Sequence, residues 1–283
     1  GVASAAQQAL DSPAIDQNWN PTVQPPPGRE KSSRYGDQVS VTHPEFGTAA
    51  GVSPATTRTQ VNKLAGIGDR MGAAMSASHP KGMKPRDSWH KQVADSGVPV
   101  LWMRVATAEG VQAAMPGTRA LAADMGDPRK ADWYSGAKKR GKAYWSKPHG
   151  KTRSLGLALT CAVPWLETGG KVGGVVGLDI ALDHIAQKMR PPEGATSLLV
   201  DQSGRIIARY GDDHSGKTWA EEPFPRKDIW DAIQASPVQG YFEKGGTLAM
   251  WTPIQTLDAT FVMMGDADEL LAAKQAKDER EGE

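Results

Sequence analysis

Two apolar segments joined by a Thr168-Gly169-Gly170 turn constrain this chain more than any other feature. Leu155–Trp165 and Lys171–Ile180 each read as a strand, and the glycine turn closes them into an antiparallel pair. The second strand runs Val172-Gly-Gly-Val-Val-Gly-Leu-Asp179-Ile180 and carries one carboxylate in an otherwise uncharged stretch. A carboxylate there requires a cationic partner or several donors, because an isolated buried charge is too costly. Ahead of the pair lies an aromatic-rich loop with Asp127-Pro128-Arg129, Trp133-Tyr134 and Gly141-Lys142-Ala143-Tyr144-Trp145-Ser146-Lys147-Pro148. Rings followed by two apolar strands and one acid fit a small closed pocket for a polar molecule. The layout suits a receiver more than a catalyst.

The remaining chain alternates helix, hairpin and antiparallel strands, which indicates an α+β fold. Residues 1–53 are rich in Pro, Gly, Ser and Thr, including Pro25-Pro26-Pro27-Gly28, and read as an extended arm with a short helix at Ala3–Leu10. Ser53-Pro54 supplies an N-cap and a first-turn proline. Val61, Leu64, Ile67, Met71 and Met75 then recur every three or four residues, which predicts one buried helix face. Val98–Ala106 and Val111–Met115 are predicted strands across Glu109-Gly110. Trp102 and Arg104 share a face of the first, placing a flat ring and a cation on one wall. A helical turn is expected around Trp133–Lys139, and a helix at Leu182–Met189.

Pro191-Pro192-Glu193-Gly194 is the clearest break and divides a helix-plus-sheet segment, 54–190, from a smaller one, 191–283. Beyond it Ser197–Val200 and Arg205–Arg209 flank Asp201-Gln202-Ser203-Gly204 as a hairpin. Lys227–Ala235 reads as a helix, and Gly240–Glu243, Thr247–Thr252 and Thr260–Gly265 as strands.

Composition excludes several classes of function. At 283 residues, 33 basic against 32 acidic side chains leave a formal net charge of +1, so nothing implies nucleic acid or an anionic surface as partner. The single cysteine, Cys161, rules out an intrachain disulfide and lies in an apolar run. The six histidines are widely separated, no His-Glu-x-x-His occurs, and neither a metal nor a cofactor is expected. No Gly-x-Ser-x-Gly turn occurs, and Ser203 sits in an ordinary hairpin turn. No apolar run approaches the ~20 residues that span a bilayer. Both ends read as cut sites of a longer protein, which would hide an anchor.

The phrases Asp127-Pro-Arg129, Trp133-Tyr134, Gly141-Lys-x-Tyr-Trp-Ser-x-Pro148, Val172 to Ile180 and Asp201-Gln-Ser-Gly-Arg-Ile-Ile207 resemble a double Cache sensor domain. This is the PAS-like extracytoplasmic module of bacterial signalling receptors, and the resemblance covers roughly residues 54 to 270. It implies a long N-terminal helix, a larger membrane-distal module that binds ligand, and a smaller membrane-proximal module. It implies a periplasmic sensor whose parent is anchored in the inner membrane by transmembrane helices and forms a two-fold dimer, with no enzyme activity in the domain. Ligands of the family are amines, amino acids and small carboxylates. Of the family's amino-acid-binding pattern, Trp133, Tyr134 and Asp179 match. The arginine two positions before the Trp is Ala131, and the tyrosine after the later Pro is His149. An aspartate two residues further on is Lys151.

Alanine supplies none of the paired bonds with which a guanidinium grips a carboxylate. Arg129, Arg104 or Lys151 are candidates to replace it. Asp179 would meet a ligand ammonium, helped by the rings of Trp133, Tyr134 or Tyr144, which tilts the reading toward a small amine. A small organic acid held by His149 and Lys151 stays open. If extended, Tyr144 and Trp145 face opposite ways, so only one of them faces the pocket. The candidate binding residues are therefore Trp102, Arg104, Trp133, Tyr134, Tyr144, His149 and Asp179. Two rivals remain, a secreted hydrolase and a ligand-free protein-interaction module.

Overall fold

The computed structural model describes residues 29–32, 35, 37–41, 43–78, 93, 99–118, 126–150, 157–211 and 222–272. Two compact units form, Gly1–Ala181 and Leu182–Glu283. The helix Leu182–Gln187 thus belongs to the second unit, nine residues ahead of the Pro191-Pro192 break.

In unit 1 the segment read as a loop-rich arm contributes three short strands, β1 (Arg29–Ser32), β2 (Asp37–Ser40) and β3 (Glu45–Thr48). Val39, Val41 and Tyr35 are buried in the unit's core. Four-residue strands carry too few apolar positions for their period to stand out among Pro and Gly. The expected helix Ala3–Leu10 and the Pro25–Gly28 run lie outside the described residues. Next comes the long helix, as α1 (Pro54–Leu64) and α2 (Gly68–Ala77) with one 3₁₀ turn, Ala65–Ile67, between them. Ser53 caps it, its Oγ accepting the Thr56 N–H at 3.1 Å. Gly66 lies within the interruption and Gly68 directly after it, and glycine is a weak helix former. The five apolar positions predicted for one face, Val61 through Met75, are all buried.

The main sheet is six-stranded in the order β3-β5-β4-β9-β8-β7. Its other members are β4 (Val100–Thr107), β5 (Val111–Met115), β7 (Tyr144–Trp145), β8 (Ala158–Leu166) and β9 (Val172–Ala181). A second, three-stranded sheet joins β1 and β2 to β6 (Gly117–Thr118). Between β6 and β7 lies α3 (Asp132–Arg140), closed by Gly141 in the left-handed region at φ 64°.

Neighbouring residues on one strand serve two cores, as pleating requires. Val105 and Val176 pack with Leu64, Ile67, Met71 and Met75 on one face. Ala106 and Val175, one position along, pack with Trp133, Tyr134 and Ala137 of α3 on the other. The sheet is therefore a wall shared by the long helix and α3.

Unit 2 is a five-stranded antiparallel sheet in the order β11-β10-β14-β13-β12. It comprises β10 (Ala195–Asp201), β11 (Ile206–Arg209), β12 (Gly240–Lys244), β13 (Thr247–Ile254) and β14 (Ala259–Asp266). Helix α4 is Leu182–Gln187 and α5 is Lys227–Ala235. Ile229 and Ile233 of α5 pack on Leu198, Val200, Ala249, Trp251 and Val262. At the β10–β11 hairpin, Asp201 Oδ1 accepts from Ser203 N (2.8 Å), Ser203 Oγ (2.7 Å) and Arg205 N (3.0 Å). Burial pushes this carboxyl up, but these bonds outweigh it and hold the pKa below its usual value.

Glycine is indispensable at Gly174. A Cβ there would meet Trp165 Cη2 at 2.0 Å and the Ala106 carbonyl oxygen at 2.2 Å. The second neighbour is backbone in the centre of the sheet and cannot turn aside. Gly174→Ala is expected to destabilise unit 1 by about 2–3 kcal/mol through overpacking, read as a lower denaturant midpoint in urea unfolding monitored by tryptophan fluorescence.

Candidate functional site

Asp179 lies in β9, with Trp102 opposite it on β4 and Thr160 opposite it on β8. Directly paired residues in antiparallel strands project from the same face, so one row across the sheet reads Trp102, Asp179, Thr160. Both Asp179 and Thr160 are buried, at 1% and 0% exposure. Arg104, two residues beyond Trp102 on that face, donates from Nη2 to Asp179 Oδ2 at 2.6 Å. Its Cζ lies 5.8 Å from the centroid of the Trp102 ring. The cation that a buried carboxylate requires is therefore supplied by the sheet itself.

The other carboxylate oxygen completes a relay. Thr160 Oγ1 donates to Asp179 Oδ1 at 2.6 Å, and His149 Nε2 lies 2.6 Å from the same hydroxyl. Thr160 has one proton, and an ionised carboxylate only accepts. Thr160 must therefore give that proton to Asp179 and receive one from His149. His149 is fixed as the Nε2–H tautomer, leaving Nδ1 with a free lone pair. Loss of hydration pushes the His149 pKa below its usual value; Asp179 opposes this and Arg104 adds to it.

Gly177, adjacent to Asp179 on this face, opens the sheet to α3. A Cβ there would lie 3.1 Å from both Thr160 Cγ2 and Trp133 Cε3. The Trp133 ring thus lies against the glycine and beside Thr160. Its edge meets Tyr134, centroids 5.8 Å apart.

The seven predicted residues do not all converge. Arg104 and Asp179 are bonded, His149 joins them through Thr160, Trp102 adjoins Arg104, and Trp133 covers the neighbouring glycine. Tyr134 is 1% exposed, but its hydroxyl lies in the field of Glu109, Arg129 and Asp127 near the β4–β5 turn. Burial foremost, then Glu109, raises its pKa. Tyr144 shares its hydroxyl proton with both oxygens of the Asp132 carboxylate at 2.8–2.9 Å, and Arg140 stacks on its ring at 5.2 Å. That ring fills the space a Cβ on Gly136 would occupy, fixing α3 to β7. Arg129 is held by Asp127 through two parallel bonds of 2.8 and 2.9 Å. Asp127-Pro-Arg129 is accordingly a structural clamp, and Lys151 lies outside the described residues.

Sequence reasoning missed Thr160 and Tyr35. Thr160 stands nine residues before Gly169 and Asp179 nine after Gly170, and the register is symmetric about that turn through Trp165. Counting outward from the glycines would have found it. Tyr35 packs edge-on against Trp102 at 5.4 Å, and its hydroxyl donates to the Leu101 carbonyl at 2.7 Å; nothing local in the sequence marks this contact.

Two buried donors in the row have no partner, Arg104 Nε and Trp102 Nε1. The Tyr134 hydroxyl is in the same condition. Among the described residues no group of three or more metal-binding side chains occurs, and no helix is long and apolar enough to cross a membrane.

Residues 104–187 match the family model for the first PDC sensor domain of methyl-accepting chemotaxis protein-like receptors. The matched segment starts at Arg104 and includes Trp133, His149, Thr160 and Asp179. This part of the chain is similar to a PDC-type sensor domain. No curated protein sequence matches the chain. Among solved structures it is similar to the ligand-binding domain of the Pseudomonas aeruginosa PAO1 amino acid chemoreceptor PctB in complex with L-Gln. That likeness is 24% identical, spans 60% of this chain and 69% of that one, and has a TM-score of 0.45. The ligand-binding domain of Pseudomonas fluorescens chemoreceptor CtaA with L-isoleucine is 18% identical over 71% of this chain and 77% of that one, TM-score 0.45. The sensory domain of Campylobacter jejuni chemoreceptor Tlp3 with isoleucine bound is 17% identical over 60% and 67%, TM-score 0.42.

The neutral His149 imidazole has a consequence for stability. In the unfolded chain His149 takes up its proton near pH 6.5, whereas the fold favours the neutral ring. The contribution is complete above that pH and is lost as pH falls, because the unfolded state then binds more protons. Thermal melts from pH 7.5 to 5.5 should fall more steeply for the parent than for His149→Gln. Parallel slopes would contradict the assignment.

Proposed function

We propose that unit 1 is the ligand-binding part of an extracytoplasmic receptor in a membrane-bound signalling protein, and that it recognises a small polar metabolite. The supporting observation is the row itself: a carboxylate 1% exposed, neutralised within the sheet, bordered by buried donors without partners and covered by Trp133. A sheet serving only as scaffold would hold apolar side chains there at lower cost, since a buried ion pair is often no more stabilising than packed hydrocarbon. Trp102, Arg104, His149, Asp179 and Trp133 are assigned to ligand contact, with the ligand an amine, an amino-acid-like compound or a short carboxylate. Tyr134 and Tyr144 shape the site by fixing α3.

The route of the signal follows from the two-faced sheet. Ligand between the sheet and α3 alters the face of Ala106 and Val175, and α1–α2 lies on the opposite face against Val105 and Val176. A ligand shifts such an equilibrium only by its difference in affinity for the two states. The long helix is the element that would carry the shift toward the membrane in a dimeric, periplasmic receptor. The reading is of a binding module and not an enzyme. Ser203 is tied by backbone and hydroxyl to Asp201 in a hairpin turn, an ordinary turn role.

The test is thermal-shift screening of the protein against amines, amino acids and short carboxylates. A compound at one hundred times its Kd adds about 2.7 kcal/mol, or roughly 5–10 °C in Tm for a domain of this size. Asp179→Asn, which keeps the shape and removes the charge, should abolish that shift for an amine or amino acid and leave it for a carboxylate held by Arg104. Silence across the panel together with turnover in ester or amide hydrolysis screens would replace the receptor reading with the hydrolase.

A further inference from the structure

We propose that the metabolite is a small carboxylate, gripped by the Nε edge of Arg104 and the indole N–H of Trp102, with no ammonium group required. The inference rests on the receptor reading above and specifies its ligand class. Its basis is the valence left open in the row. Asp179 is the natural seat for an ammonium, but each of its oxygens already accepts a bond at 2.6 Å, one from Arg104 and one from Thr160. An ammonium arriving there would put a second cation beside the guanidinium around one carboxylate. The unmet groups on the same strand are donors: Arg104 Nε and Trp102 Nε1, both buried and both without a partner.

The two side chains are two positions apart on one face, with the guanidinium 5.8 Å from the indole centroid. Leaving such donors unpaired in the interior is costly, and an acceptor group entering between them removes that cost. Arginine suits the task because its planar fork has five N–H donors, so one edge can stay on Asp179 while the Nε edge engages a second carboxylate. Arg129, by contrast, has its Nε–Nη2 edge closed by Asp127, and its Nη1 donates to the Glu109 carbonyl at 3.5 Å. Arg104 thus takes the role left vacant by Ala131.

Isothermal titration calorimetry with matched probes tests this: propionate and succinate against propylamine and 1,4-diaminobutane, with L-alanine as the zwitterion. Propionate or succinate should bind and the amines should not. Arg104→Lys retains a cation for Asp179 but has no Nε donor, and Trp102→Phe retains a ring without its N–H. Each should weaken acid binding about ten-fold, the loss of one hydrogen bond to a charged group. Binding of the amines alone, or of L-alanine but neither acid, would overturn the carboxylate assignment and leave the receptor reading standing. Acid binding indifferent to both substitutions would overturn the site. Silence toward these probes and the whole metabolite panel would withdraw the receptor reading itself.

Discussion

The site depends on how one charge is housed inside a sheet. Asp179 is 1% exposed, and ionised carboxylates do not survive such burial without a cation and further donors. Arg104 supplies the cation from the next strand, Thr160 the neutral donor from the strand on the other side, and His149 completes Thr160. Three strands and the loop after β7 are thereby tied to a single pair of oxygens. Removing either immediate partner would leave a buried polar group unmet, so these positions act as a unit and their substitutions are not expected to add.

Small residues carry the second constraint. Trp165 closes over Gly174 and Trp133 over Gly177, each ring lying where a side chain would otherwise stand. Three positions apart, these glycines open opposite faces of β9: Gly177 admits Trp133 on the face that carries the acid, and Gly174 admits Trp165 on the face of the long helix. Val176, two positions beyond Gly174, packs on that second face with the long helix and Trp165. The Val172–Asp179 stretch is glycine-rich because the strand must admit a ring on each face.

Much of this was legible in the chain. The α1–α2 face was read from the spacing of Val61, Leu64, Ile67, Met71 and Met75, and all five are buried. The Lys227–Ala235 helix has the predicted ends, and the strands differ from prediction by one or two residues where their ends are described. Asp179 stood out because it was the one charge in its strand. What sequence could not supply was contact between distant elements. Arg104 and Asp179 are 75 residues apart, and the pairing of β4 with β9 follows from topology and not from any local pattern. The same holds for Tyr35 against Trp102. Tyr144 misled for a different reason: an aromatic in a ring-rich loop has the same composition whether it faces a ligand or clamps a helix. Only the Asp132 bond and the Gly136 contact distinguish the two.

The departures from the amino-acid-binding pattern are mutually consistent. With Ala131 ahead of Trp133, α3 carries no anchoring cation at that position, while Arg104 sits on β4 in the centre of the sheet. Rings on α3 and charges on the sheet then divide the work. On the proposed reading the sheet would fix the ligand's polar group in a preorganised frame, and Trp133 would sense whether the space beneath it is filled. Such a division couples occupancy to the position of α3 without disturbing the Arg104–Asp179–Thr160 network, whose rearrangement would expose a buried charge. In the proposed receptor, closure would be a small movement of this one short helix against a sheet whose other face bears the long helix.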